Sequence, residues 1–267
     1  MGFEGGQMFK KILFPKCNDH AAMLLLMSLF TLLFISNASA QIPDEFTNLK
    51  VLPRTIEKPE LLKVMKGFTF ALGVRCSFCH VGKEGAPLSK YDFAADDKPE
   101  KGSARIMMQM TADINKLYLP KLEEKPEHLV TVSCVTCHHG LSKPRMLEDT
   151  LKNAIAKGGV PAAKKKYQEL KKEYYGTYSY DFSEDPLNHL ARDLSEDGKT
   201  TDAIDILKFN ESMFPKSDEV EFLLAELYMK NNDRRLALQH YKKCLALSPD
   251  NDYVKKKIEE LSKPPSK

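Results

Sequence analysis

Two copies of one five-residue pattern dominate the chain: Cys76-Ser77-Phe78-Cys79-His80 and Cys134-Val135-Thr136-Cys137-His138. Each thiol pair can form thioether bonds to the two vinyl groups of one haem. The adjacent His can then turn under the porphyrin and bind its iron. The pattern predicts two covalently bound haem c groups, attached through Cys76, Cys79, Cys134 and Cys137. His80 and His138 are the expected proximal iron ligands. A chain that must enclose two large planar groups has few folds open to it, whatever its composition.

Zinc is the main competing reading of paired cysteines, since it can take four thiolates or thiolates with His. A zinc site needs neither the immediately following His nor export. Disulfide exchange is weaker still, because no thioredoxin-like alternation of strands and helices surrounds either motif. Of the other two cysteines, Cys17 lies in the leader and Cys244 in a helical repeat, so no even set remains for a disulfide framework. The formal net charge of +3 is too small to point to nucleic acid.

The first 40 residues read as a secretory signal peptide. Lys10, Lys11 and Lys16 precede an apolar run from Ala21 to Ile35, and Ala38-Ser39-Ala40 offers a small-x-small cleavage site. The run is 15 residues, short of the roughly 20 needed to span a bilayer. An uncleaved leader would act as a membrane tether. Export suits the motifs, because bacteria attach haem covalently outside the cytoplasmic membrane. The expected location is the periplasm, as a soluble mature chain.

Residues 41–143 hold both motifs and show no strand alternation. Gly82 to Lys101 reads as a loop. Leu61, Met65, Phe68 and Leu72 recur at helical spacing within Pro59 to Val74, just before the first motif. Ile106, Met110, Ile114 and Leu117 do so within Ala104 to Leu119, before the second. A Met on an apolar helix face is ordinarily core filling. Beside a haem motif it is also a candidate distal ligand, and Met65 and Met110 are the two candidates. Met107 and Met108 lie within a turn of Met110, so helix phase chooses among them. His128 is the best bis-His alternative. His139 cannot easily reach the far face of the ring held by His138. His189 and His240 read as ordinary helix residues. Arg75 and Arg105 could pair with haem propionates.

Residues 144–267 are Lys/Glu-rich and periodic, with a boundary expected near Lys143-Pro144. Pro215 and Pro249, Ala203 and Ala237, Leu207 and Tyr241, Leu190 and Leu224, Ala191 and Ala225, and Leu194 and Tyr228 all stand 34 apart. That period is the tetratricopeptide spacing of two antiparallel helices. The repeats are expected over 184–217 and 218–251, with an irregular unit in 144–177 and a polar capping helix from Asp252 to Leu261. The fold class is therefore all-α: a helical dihaem domain followed by tetratricopeptide-like repeats.

Residues 50–143 resemble the cytochrome c subunit of photosynthetic reaction centres and related exported cytochromes that keep part of it. The resemblance rests on Leu62-Lys63-Val64-Met65-Lys66-Gly67-Phe68 leading to Leu72-Gly73-Val74-Arg75-Cys76, and on Met110-Thr111-Ala112 leading to Cys134. It implies helix–turn–motif units in which the helix supplies the axial Met, giving Met65 to the first haem and Met110 to the second. The reaction-centre subunit usually carries four haems. This chain has two motifs and a repeat region instead.

With both faces of each iron occupied, a haem exchanges electrons without binding substrate. The expected function is a dihaem electron carrier of the cell envelope, with redox partner proteins that could include a membrane electron-transfer complex. The repeats would dock a peptide or helix of a partner. A haem enzyme with one open iron site, peroxidase-like or oxygen-using, is the alternative. A scaffold with a structural haem domain is a third.

Overall fold

The computed structural model describes residues 42–122 and 130–263. The expected leader and His128 lie outside these residues. Among the described residues there is no β-strand, only an isolated antiparallel bridge between Val81 and Asp92. No described helix is long and apolar enough to cross a membrane.

Helix α1 runs Lys58–Leu72. Pro59 stands in its first turn, where a missing N–H costs nothing, and Glu60 faces the positive end of the helix dipole. It stops at Gly73, whose φ of 64° is left-handed. The N–H groups of Gly73 and Val74 both turn back to the Thr69 carbonyl, which closes the helix end.

Helix α2 runs Pro99–Asp113. It begins five residues before the apolar stripe does, because Pro99 and Glu100 start a helix on local grounds. The last three residues of the expected loop thus become its first turn. It continues as a π turn over Ile114–Tyr118 and a 3₁₀ turn over Leu119–Lys121. The second motif is itself a helix, α3, Cys134–His138, opened by a capping box between Ser133 and Thr136.

The rest is a helical stack around one core. Helix α4 (Leu147–Tyr174) is broken at Gly158–Gly159, and Gly159 takes a φ of 68° that only glycine adopts easily. Four helices follow as two hairpins: α5 (Asp185–Glu196) with α6 (Thr200–Met213), then α7 (Asp218–Lys230) with α8 (Arg234–Leu247). Helix α9 (Asp252–Ser262) closes the array. The starts of α6 and α8 are 34 residues apart, as are those of α7 and α9.

Five of the apolar pairs that carry the period are buried as pairs. Leu190, Leu224, Ala203, Ala237, Leu207 and Tyr241 are wholly inaccessible, and Ala191, Ala225, Leu194 and Tyr228 nearly so. Small residues sit where the helices cross, and large ones fill the gaps. In α4 the register differs: Ala163 and Ala203, both buried, are 40 residues apart. The extra residues are taken up by the longer helix and the 175–184 turn.

Buried polar groups within the stack include Asn188, which accepts from the Asn210 amide at 2.9 Å, and a cluster around Glu221. Glu221 and His240 are both buried, and Nδ1 of His240 donates to Glu221 Oε2 at 2.6 Å. Lys243 donates to Glu221 and Glu211. The cluster is satisfied internally, which is how charge survives in a core. His240 is therefore a packed structural residue, and His189 is exposed on α5.

Candidate haem-binding site

The first motif forms a 3₁₀ turn, Cys76–Phe78. The N–H groups of Cys79 and His80 both donate to the Cys76 carbonyl, at 3.3 and 3.0 Å, and this fold-back brings both thiols and the imidazole to one side. They line an apolar cavity of about 830 Å³, and Met65 of α1 is on its wall. That volume falls in the range of cofactor pockets. Cys76, Cys79, His80 and Met65, selected from different arguments, therefore meet at one cavity.

The His80 ring packs edge-on against Phe93, with centroids 5.0 Å apart. Its Nδ1 is buried with no hydrogen-bond partner. Burial, followed by the nearby Lys101 charge, pushes its pKa down, so the ring is neutral at pH 7. A neutral imidazole is the form that binds metal. Burial also raises the Cys79 and Cys134 thiols above the ordinary value. Disulfide-exchange cysteines are shifted the other way.

Helix α2 has one face on the first cavity and another that is exposed. Lys101, Ala104, Arg105 and Met108 follow one helical stripe and line the first cavity. Ile106, Met107 and Met110 lie on another face and are exposed, as is Leu117 in the π turn. Helix phase thus separates Met108 from Met110. Helix α2 contacts α3, where the second motif begins. Asn115 fixes that approach: its side chain donates to the Val132 carbonyl at 2.7 Å and accepts from the Val132 N–H at 2.8 Å.

His138 is buried, and its Nδ1 donates to the Leu141 carbonyl at 2.7 Å. That bond fixes the tautomer and leaves the Nε2 lone pair for a metal. His139 is held by backbone carbonyls. Its two ring nitrogens face the carbonyls of Tyr178 and Thr136, at 3.2 and 2.8 Å. Among the described residues, no three motif Cys or His ligand atoms lie within 4.8 Å of one another. A zinc site requires that convergence. Among the described residues, the acidic and histidine ligand atoms that do converge are those of Glu211, Glu221 and His240, already paired with Lys243. The first motif fits haem, with thiols, imidazole and thioether on the walls of one cavity; at the second, the His138 tautomer is set by the Leu141 carbonyl, while Met110 lies exposed on α2.

Two features escaped the motif reading, the wall from residues 42–52 and the convergence on Asp96. Residues 42–52 form one wall of the first cavity, through Ile42, Phe46, Leu49 and Val51. Their irregular apolar spacing carried no helix or strand signal. Arg75 and Arg105 both line the cavity, Arg75 being largely exposed and paired with Glu84 at 3.2 Å. Arg105, Lys101 and Lys50 converge on Asp96, at 2.9, 3.1 and 2.6 Å.

Asp96 is thus held far below the usual carboxylate range, first by Arg105, then by Lys50, Asn48 and Lys101. A carboxyl depressed on folding contributes stability above its unfolded value of about 4, and that contribution is lost as pH falls below it. Wild-type melting temperature, followed by haem absorbance, is expected to fall on acidification from about pH 5 to about pH 2. The fall should be shallower in Asp96→Asn. Parallel curves would remove Asp96 as the responsible group.

The family model "Photosynthetic reaction centre cytochrome C subunit" matches residues 33–201, over half of the chain and into the first repeat hairpin. The photosynthetic reaction center cytochrome c subunit of Roseobacter denitrificans is 32% identical over 100 residues, covering 34% of this chain and 25% of that protein. Cytochrome c-554 of Chloroflexus aurantiacus is 33% identical over 78 residues, covering 29% of this chain and 16% of that protein. The chain thus spans a quarter or less of the length of these relatives. PcrH from Pseudomonas aeruginosa overlays 44% of this chain and 89% of its own, at 16% identity and a TM-score of 0.31. That likeness adds nothing to what the helix order shows.

Proposed function

The chain belongs to the photosynthetic reaction centre cytochrome C subunit family, and from that premise we propose that it is an exported dihaem electron carrier of the cell envelope. The family is one of electron-carrying cytochromes rather than catalysts. The observation that carries the reading is the meeting of Cys76, Cys79, His80 and Met65 at one apolar cavity. When bound, each haem supplies a one-electron iron couple.

The chain's own residues would do the rest. Cys76 and Cys79 hold the first haem and Cys134 and Cys137 the second. His80 and His138 present ring nitrogens to the irons. Met65 supplies the sulfur that closes the first iron, and Met110, on the exposed stripe of α2, closes the second. A thioether ligand raises the reduction potential relative to a second nitrogen. The apolar walls of the first cavity keep water from the metal. Arg105, at the same wall, is suited to receive a propionate.

Residues 144–267 form the second domain in this reading. Stacked helix hairpins leave a broad surface for a peptide or helix of a redox partner. Such a partner could belong to a membrane complex. The periplasm is the compartment that suits both haem attachment and the leader.

The test is a spectroscopic redox titration of the purified mature protein with haem quantification. Two haems per chain, the long-wavelength charge-transfer band of Met-ligated ferric haem, and no carbon monoxide binding to the reduced form are expected. Strong carbon monoxide binding at one haem would replace the carrier with an enzyme having an open iron site. In Met65→Ala, one Met–iron band should disappear and that haem's potential should fall. An unchanged spectrum would return Met65 to core filling.

A further inference from the structure

The segments bearing the two motifs meet backbone to backbone where α1 ends. Gly73 ends α1 three residues before Cys76, and Gly140 lies two residues beyond His138. The Gly140 N–H donates to the Ala71 carbonyl at 2.9 Å. A methyl group at Gly73 would stand 2.1 Å from the Gly140 carbonyl oxygen. Both glycines have left-handed φ, +64° and +83°. No side chain fits between them, and none cushions the contact.

Each glycine is tied closely to its motif. On one side, the Thr69 carbonyl accepts from the Val74 N–H at 3.1 Å, and the Arg75 carbonyl accepts from the Phe78 N–H at 2.9 Å. On the other, the Leu141 N–H donates to the His138 carbonyl at 2.8 Å, and Leu141 accepts from the His138 ring. Movement at the contact would therefore carry Cys76–His80 and His138 with it. The repeats hold the turn from outside, where Ser179 Oγ donates to the His139 carbonyl at 2.9 Å.

Resting on the dihaem reading, we propose that Gly73 and Gly140 are a positioning pair that sets the separation and mutual orientation of the two haem seats. Neither touches a haem. They act through the backbone that carries the ligands. Transfer between two fixed centres depends steeply on their spacing, so a contact with no give is a means of holding it constant. A methyl at Gly73 would force the two segments apart by about 1 Å or more.

The experiment uses the full haem-loaded chain. Gly73→Ala is compared with wild type and with Gly67→Ala, whose added methyl meets no atom within 4 Å. The readouts are haem per chain, the Met–iron band, and the magnetic interaction between the two ferric irons by electron paramagnetic resonance. Gly73→Ala is expected to keep two haems and both ligand bands while the spin–spin splitting shifts. Gly67→Ala should match wild type.

Where Gly73→Ala fails to accumulate, Gly140→Ala decides. Its methyl meets only the Ser179 hydroxyl, at 3.2 Å, which can rotate away, while its φ strains the same turn. Two haems with an unshifted splitting in either variant would overturn the positioning role. A wild-type protein lacking two haems would instead overturn the dihaem reading, a separate outcome.

Discussion

Replacing Cys76 and Cys79 together with alanine is expected to halve the haem content, from two groups per chain to one. The remaining haem should keep its Met–His spectrum, because α3 and its capping box are formed by residues outside the first cavity. Mass spectrometry of the intact protein and the pyridine haemochrome assay read the result directly. A second consequence follows from the cavity. Its apolar walls, drawn from residues 42–52, α1 and α2, would lose the group that covers them. Exposing apolar surface costs about 25 cal/mol per Å², so the haem unit should melt at lower temperature. Two haems retained in the double variant would remove the first motif as an attachment site.

The largest stability effect is expected in the repeats. Leu207 on α6 is wholly buried, one period before the equally buried Tyr241 on α8. Leu207→Ala removes three carbons from a packed interior and should cost about 2–5 kcal/mol. Repeat arrays are stabilised by nearest-neighbour interfaces, so the loss should spread to α5 and α7. The chain has no Trp, so tyrosine fluorescence and circular dichroism in urea are the suitable probes. The haem absorption spectrum should be unchanged, since the core containing Leu207 begins at Leu147. A change below about 1 kcal/mol would mean that the site relaxes around the smaller side chain.

The repeat region was legible because its packing is local and periodic. A helix hairpin buries the same positions in each unit, and the 34-residue offset records that burial directly in residue type. The irregular first unit was less legible. Its helix is broken by Gly158–Gly159, and its small residue, Ala163, falls out of register with Ala203. Period alone has no means of placing a unit that departs from it.

In the haem unit, the stripe of Leu61, Met65, Phe68 and Leu72 located α1 to within two residues at each end. The stripe in α2 was read as one apolar face, whereas the helix has two. Met108 lines the first cavity and Met110 lies on the exposed side. Both are methionines on an amphipathic helix, and sequence spacing says only that they point apart. Which side meets which motif depends on contacts many residues away, such as those of Asn115 with Val132. Likewise Arg75 and Arg105, thirty residues apart, both line the cavity, yet Arg75 is exposed and paired with Glu84 while Arg105 is half-buried against Asp96.

Residue order alone determined the bonds this chain can make. Thiol, thiol and imidazole in five consecutive positions are close enough that any fold leaves them on one turn, and a repeat of 34 leaves little choice but helix pairs. Folding in three dimensions settled how those parts face one another: the wall contributed by residues 42–52, the two faces of α2, and the glycine-to-glycine approach of the two motif segments. These rest on contacts between groups far apart along the chain. Such contacts leave no period or motif behind, because many different residues can satisfy the same shape.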